Sequence, residues 1–77
     1  MSINNTIATQ FFCGEETVFA QGYKGFINIM VSNGKEIHDG VAKDIDGINK
    51  ISQRINNDTN KKSFIAWANT VITGGTN

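Results

Sequence analysis

The spacing of apolar residues changes once along this chain, near Asp44, and this change constrains the fold more than any other feature. Before Asp44, β-branched and aromatic residues come in short runs separated by glycine-containing turns, which is typical of antiparallel strands. After it, apolar residues recur every three or four positions, which is typical of helices with one buried face. Strands followed by helices predict an α+β fold, which is a small antiparallel sheet of three or four strands with two C-terminal helices packed on one face. A small all-β barrel is the alternative, and it would require residues 44–56 to be extended.

The first part of the chain contains three clear candidate strands, at residues 6–13, 17–21 and 26–31. A turn at residues 14–16 joins the first two into a hairpin. Alternate positions of a strand point to the same face. In the first strand these are Ile7, Thr9, Phe11 and Cys13.

The third strand leads into Ser32-Asn33-Gly34, which has the form of a three-residue hairpin loop with glycine in the left-handed position. Such a loop places Ile29 opposite Ile37. The core-facing side of this hairpin is then predicted to carry Ile27, Ile29, Val31 and Ile37.

The spacing of apolar residues over 44–56 predicts the first helix. Its four isoleucines cover an arc of about 120° on a helical wheel, and Asp44 or Asp46 can cap its start. The arc consists of Ile45, Ile48, Ile51 and Ile55.

The pattern of residues 60–75 predicts the second helix. Thr59 or Asn60 is its expected N-cap, and Gly74 is its expected C-cap. Its apolar residues cover an arc of about 160° and include the only tryptophan of the chain. They are Phe64, Ile65, Trp67, Ala68, Val71 and Ile72. The opposite side carries no charge, although a solvated helix surface is usually lined with Lys and Glu. We therefore expect a partner on that side, at Ser63, Ala66, Asn69 and Thr70.

The chain of 77 residues has room for a single small domain, 1–77, with one modest core, and we expect residues 1–5 to be mobile. Cys13 is the only cysteine and His38 the only histidine, so we expect no internal disulfide, no metal site and no cofactor. No apolar run approaches the roughly 20 residues that cross a bilayer. The sequence predicts a soluble, cytoplasmic protein without a membrane partner.

Seven basic and seven acidic residues cancel, so the total charge provides no attraction to nucleic acid or to an anionic membrane. The charges are unevenly placed, because residues 1–14 and 63–77 have none. Both ends are therefore candidates for burial, either inside the fold or against another chain. Eleven Ile and ten Asn, with no Leu, fit an A+T-rich coding sequence, which is compatible with a phage or another mobile element.

The run Lys24-Gly25-Phe26-Ile27 resembles the opening of the aromatic strand motif of RNA-recognition-motif domains and the Lys-Gly-Phe of cold-shock domains. Positions 27, 28 and 31 hold Ile, Asn and Val, where those families have small or aromatic residues, so the base-stacking platform is not reproduced. Lys50 and Arg54 can line a phosphate-contacting side of the first helix, although acidic residues are interleaved with them. These features give an alternative function, a small nucleic-acid-binding protein that uses the basic face of the 44–56 helix and the segment from Lys24 to Phe26.

Two groupings invite a catalytic interpretation, His38 beside Asp39 and the pair Glu15-Glu16. Adjacent strand residues point to opposite faces, so His38 and Asp39 are not expected to meet. Paired carboxylates on a turn are usually solvated. The sequence also has no second histidine and no glycine-rich loop before a helix. We expect no enzymatic activity and no catalytic residues.

The sequence therefore predicts a non-enzymatic small protein-binding module. Its partner is either a second copy, giving a homodimer, or a host protein, as for a phage or mobile-element inhibitor of a host enzyme or defence complex. A chain of this size gains burial by dimerising, through an edge strand or the uncharged side of the second helix. The candidate partner-binding residues are Tyr23, Lys24, Phe26, Lys50, Arg54 and Asn69.

Overall fold

A computed structural model describes residues 7–23 and 25–73 of the chain. In that part, four strands are followed by two helices: β1 Ile7–Cys13, β2 Glu16–Tyr23, β3 Phe26–Ser32, β4 Ile37–Ala42, α1 Ile45–Ser52 and α2 Asp58–Thr73. The strands form an antiparallel sheet in sequence order, and both helices pack on one face of it. The predicted α+β arrangement is confirmed. The predictions of a mobile 1–5 segment and a Gly74 cap lie outside the described residues.

The strands alternate between a buried face and an exposed one, as the pleat requires. The inner face, which the helices cover, supplies the sheet's share of the core: Val18, Ala20, Ile27, Ile29, Val31 and Ala42. Phe11 packs against this core from β1, so the side of the first strand that carries Ile7, Thr9, Phe11 and Cys13 is the one that faces the helices. We call the opposite side the outer face; its residues are Ala8, Gln10, Phe12, Thr17, Phe19, Gln21, Tyr23, Phe26, Asn28, Met30, Ser32, Ile37, Asp39 and Val41.

Helix α2 lies across β1, β2 and β3 and presents its apolar arc to them. Phe64 and Ala68 are fully buried, and the ring of Trp67 meets the ring of Phe11 edge-on, with centroids 6.5 Å apart. The helix approaches β2 closely at Gly22, where an added Cβ would lie 2.7 Å from Cγ1 of Val71. The predicted helix and its apolar arc are confirmed.

Helix α1 packs beside β4 and α2. Asp44 is its N-cap, and its Oδ1 accepts a 2.8 Å hydrogen bond from the backbone N–H of Gly47. Ile48, Ile51 and Ile55 are buried, whereas Ile45 is 45% exposed. The helix ends at Ser52, four residues before the predicted end at residue 56, so Ile55 is buried in the connection after α1 and not on the helix. The predicted apolar arc is therefore right for Ile48 and Ile51 and wrong for Ile45, which lies at the exposed start of the helix.

The hairpin between β3 and β4 differs from the prediction. Its loop has four residues, Asn33 to Glu36, and the strands resume with Ser32 opposite Ile37 and Ile29 opposite Gly40. The side chain of Asn33 lengthens the turn, since its Oδ1 accepts hydrogen bonds from the backbone N–H groups of Lys35 at 3.1 Å and Glu36 at 2.9 Å. A changed register moves side chains to the other face. The prediction that Ile37 faces the core is wrong, because Ile37 lies on the outer face.

The connection between the helices is fixed by polar side chains. Asn57 caps α2, and its Oδ1 accepts a 3.0 Å hydrogen bond from the N–H of Asn60, so the helix begins earlier than predicted. Glu16 is 6% exposed and its carboxylate accepts hydrogen bonds from this connection. The prediction of a solvated Glu15-Glu16 pair is right for Glu15, which is exposed, and wrong for Glu16.

Candidate docking surface

The outer face carries most of the exposed large apolar side chains of the described residues. Within the described ranges, eight large apolar side chains are more than a third exposed, and six of them lie on this face. The six are Phe12, Phe19, Phe26, Met30, Ile37 and Val41. The one-sided antiparallel sheets of soluble proteins usually present polar residues on the solvated face, and contiguous apolar patches mark sites of interaction. The outer face is therefore the first candidate for a binding surface.

The strand register arranges the outer face in rows that cross the sheet. The central row runs Gln10, Phe19, Met30, Asp39 from β1 to β4. On the side of the Gly14 turn, the flanking row runs Phe12, Thr17, Ser32, Ile37. On the other side it runs Ala8, Gln21, Asn28, Val41. The central row is thus apolar in its middle and polar at both ends, whereas the two flanking rows are polar in the middle and apolar at both ends.

Beyond these rows, the hairpin between β2 and β3 adds an aromatic pair to the outer face. Tyr23 and Phe26 are directly opposite each other, and their rings stack with centroids 4.7 Å apart and an interplanar angle of 10°. The hydroxyl of Tyr23 donates a 2.9 Å hydrogen bond to Oε1 of Gln21. This bond holds the ring of Tyr23 against the sheet, so the pair forms a fixed apolar edge.

A hollow of about 440 Å³ lies in the middle of the outer face. Its outward-facing walls are the side chains of Phe19 and Met30, and shorter or polar residues complete it: Ala8, Gln10, Gln21, Asn28 and Asp39. The volume is within the range of small-molecule sites, but the hollow is open along one side of a sheet. It is large enough to receive more than one side chain of another macromolecule.

The outer face is almost without charge. Among its described residues, Asp39 is the only Asp, Glu, Lys, Arg or His. Exposed sheets commonly carry Lys or Glu, which oppose association. The described outer face has no cation to contact a phosphate, and it has little charge to desolvate when another surface covers it.

The structure does not bring the sequence-predicted site residues onto one surface. Tyr23 and Phe26 lie together on the outer face, and Lys24 between them is outside the described residues. Lys50 and Arg54 are exposed in and just after α1, in the helical layer on the other side of the sheet. Asn69 is half-buried in α2. Its Oδ1 is buried and has no hydrogen-bond partner within the described ranges.

The uncharged side of α2 is only partly open. Ala66 and Thr70 are exposed, whereas Ser63 and Asn69 are half-buried. The hydroxyl of Thr70 donates a 3.1 Å hydrogen bond to the carbonyl oxygen of Ala66, so its polar group is satisfied within the helix. This side therefore presents fewer accessible apolar groups than the outer face does.

Sequence reasoning missed most of the outer face, although a signal for it was present. Strand β3 reads FINIMVS, with apolar residues pointing to both sides, which is typical of strands covered on both faces. Met30 and Phe19 on neighbouring strands give the same signal. Ile37 was missed for another reason, since the predicted register had turned it inward.

The polar groups that could support catalysis are dispersed. Asp39 pairs with Met30 on the outer face, while His38 pairs with Val31 on the inner side, so the expectation that they do not meet is confirmed. His38 Nε2 instead lies 3.2 Å from Oε1 of Glu36, and both side chains are exposed. In residues 7–23 and 25–73, no three His, Cys, Asp or Glu side chains group as a metal site would require.

Comparison with protein-family models finds no family that matches the chain, and searches of curated proteins and of solved structures find no significant match. Neither α1 nor α2, the helices of the described part, is long and apolar enough to span a bilayer.

Proposed function

We propose that this chain is a non-enzymatic protein-binding module that docks its partner on the outer face of the sheet. The observation that carries this proposal is that, among the described residues of one sheet face, six exposed apolar side chains accompany a single Asp, Glu, Lys, Arg or His, which is Asp39. Covering such a face releases water from apolar surface, at about 25 cal/mol per Å². It leaves few charged groups to be desolvated, which favours a protein partner with a similarly apolar surface.

The alternative, a nucleic-acid-binding protein, is supported less well by the arrangement of its parts. Phe26 lies on the outer face, whereas Lys50 and Arg54 lie in the helical layer. A nucleic acid that contacted all three would have to pass around an edge of the sheet. Binding that depends on phosphate contacts weakens steeply as salt is added, whereas apolar docking does not, so salt dependence separates the two functions.

The finer possibility of a phage or mobile-element inhibitor of a host enzyme or defence complex stays a prediction. Its motivation is the small size, the balanced charge and the Ile- and Asn-rich composition. Such an inhibitor would use the same outer face, so the identity of the protein bound there decides between this possibility and self-association.

Photo-crosslinking tests the proposed surface. A photoreactive amino acid replaces Met30 on the outer face, Thr70 on the uncharged side of α2, or Asp46 on α1, all of which are exposed. Each purified protein is irradiated alone and in an extract of the source cell. We expect specific protein adducts from position 30, which excess unlabelled chain suppresses and excess Phe19→Lys chain does not. Adducts from position 70 with none from position 30 would contradict the proposal.

A further inference from the structure

We infer that the partner of the outer face is a second copy of this chain, packed face to face about a twofold axis that runs parallel to the strands, between β2 and β3. This inference rests on the proposed function, because it supplies the occupant of the proposed docking surface. It follows from the order of residues along the rows of the outer face. A twofold axis in this direction lays β4 of the second copy over β1, and β2 of the second copy over β3.

The central row of one copy then faces the central row of the second copy, with the residues in reverse order. Phe19 meets Met30 of the second copy and Met30 meets Phe19, so the two largest apolar groups at the centre cover each other. At the ends of the row, Gln10 meets Asp39 of the second copy. The amide group of Gln10 is a hydrogen-bond donor and the carboxylate of Asp39 is an acceptor, so the one ionised group of the described outer face gains a partner.

The flanking rows are also complementary to themselves. In the first, Phe12 faces Ile37 of the second copy, and Thr17 faces Ser32. In the second, Gln21 faces Asn28 of the second copy. The remaining pair of that row joins Ala8 and Val41. Apolar groups therefore meet apolar groups and polar groups meet polar groups across an isologous interface, as twofold symmetry requires of one patch that binds itself.

The charge of Asp39 favours this axis over a twofold axis that is perpendicular to the strands. A twofold axis along the central row, perpendicular to the strands, would lay β4 over β4 and bring the two Asp39 carboxylates together. Like charges that face each other at an interface are unfavourable. The axis parallel to the strands instead keeps the carboxylates on opposite edges of the dimer, three strands apart.

The area available is sufficient for a specific dimer. The exposed fractions of the six apolar residues amount to about three whole side chains, and at about 200 Å² for a large side chain they offer roughly 600 Å² per copy. Two copies would bury roughly 1,200 Å² from these residues alone, which is the lower end of specific interfaces. The polar members of the rows add to this. Packed sheets lie about 10 Å apart and cross at about 30°, so contact is closest near the axis.

Sedimentation over a range of chain concentrations is the first test. We expect a monomer of 8.4 kDa at low concentration and twice that mass at high concentration. Phe19→Lys places a charge at the centre of the interface, so its dimer dissociation constant should rise about 10-fold or more. The matched control, Thr70→Lys on α2, should dimerise like the natural chain. Far-UV circular dichroism checks that both variants are folded. Loss of the dimer in Thr70→Lys and not in Phe19→Lys would overturn the inference.

Crosslinking between cysteines tests the direction of the axis. In a Cys13→Ser background, one preparation carries Gln10→Cys and another carries Asp39→Cys, and a bifunctional maleimide bridges the about 10 Å between packed sheets. We expect crosslinked dimers in the mixture of the two preparations and few in either one alone. Efficient crosslinking within the Gln10→Cys preparation alone, in which Asp39 is intact, would indicate the perpendicular axis, which lays β1 over β1, and would overturn this one.

Failure of the inference and failure of the proposed function have different signatures. A chain that stays monomeric at every concentration, yet forms adducts with a different protein from position 30, overturns the second copy as partner and leaves the docking surface in place. A monomeric chain with no adduct from position 30 overturns both. A dimer that Phe19→Lys dissociates supports both.

Discussion

The carboxylate of Glu16 accepts a 2.8 Å hydrogen bond from the backbone N–H of Asn56, forty positions further along the chain. The N–H of Asn57 at 3.1 Å and the side-chain amide of Asn60 at 3.2 Å complete the set. One buried carboxylate thus connects the start of β2 to the segment that joins the two helices. This connection satisfies backbone donors that would otherwise be partly buried without acceptors.

Removing this carboxylate should destabilise the fold. Glu16→Ala leaves the backbone N–H groups of Asn56 and Asn57 without their acceptor, whereas the side-chain amide of Asn60 keeps its 3.2 Å bond to the carbonyl oxygen of Glu16. At a cost of about 1–3 kcal/mol for each buried unsatisfied group, we expect the free energy of unfolding to fall by about 2 kcal/mol. Glu15→Ala is the matched control, because Glu15 is exposed on the adjacent position, and it should change the value by less than about 0.5 kcal/mol. Urea unfolding at a single chain concentration measures both. Equal effects would show that the contacts of Glu16 are not what stabilises this connection.

The close approach of α2 to the sheet at Gly22 predicts a steric cost. A Cβ there would lie 2.7 Å from Cγ1 of Val71, so Gly22→Ala should lower the free energy of unfolding by about 1–3 kcal/mol through overpacking. Val71→Ala removes the atom in conflict. The double variant should therefore be more stable than the sum of the two single effects predicts, and a double-mutant cycle measures the difference. Strict additivity would contradict this contact.

Two isoleucines on opposite faces of the sheet provide a matched pair. Ile29 is 2% exposed and Ile37 is 66% exposed. Ile29→Ala should cost about 2–5 kcal/mol, as expected for a core aliphatic residue. Ile37→Ala should cost less than about 1 kcal/mol at a concentration where the chain is monomeric. Denaturant unfolding of the two variants checks the register of β4 directly, since the three-residue loop predicted from sequence would make both changes severe.

A gain of affinity offers a test that a misfolded variant cannot imitate. In the inferred dimer, Gln10→Lys places an ammonium group opposite Asp39 of the second copy, and symmetry creates this pair twice. Exposed ion pairs contribute about 0.2–1 kcal/mol each, so two of them should lower the dimer dissociation constant about 2-fold to 30-fold at low ionic strength. High salt should reduce the gain. Gln21→Lys is the control, because it would face Asn28, and sedimentation should show no gain for it.

The sequence predicted the architecture because two signals in it are strong. The isoleucine spacing of α1 and the arc around Phe64 in α2 each repeat over several turns, so single exceptions such as Ile45 do not change the helix assignment. Strand alternation around Ile29 placed the core face of β3 correctly. The strand order of a meander then follows from short turns, which leave neighbouring strands paired.

The register of β4 and the outer face could not be derived in the same way. The length of the loop after Ser32 depends on two hydrogen bonds to the side chain of Asn33, and the run Ser-Asn-Gly is compatible with loops of more than one length. A shift in loop length changes the face on which Ile37 lies. The outer face depends on this register and on four strands together, so no single segment of the sequence reveals its rows.

The order of the strands also bears on how the chain reaches its folded state. Each hairpin of the meander brings together residues that are near in sequence, so it can form within microseconds, whereas α2 must return to the first two strands after the whole sheet has been traversed. Contacts between residues that are far apart in sequence require long loops to close, and this step slows folding. The hydrogen bonds between Glu16 and the 56–60 segment exist only once that return is complete, so protection of the Asn56 and Asn57 amides from hydrogen exchange would mark the end of folding rather than its beginning.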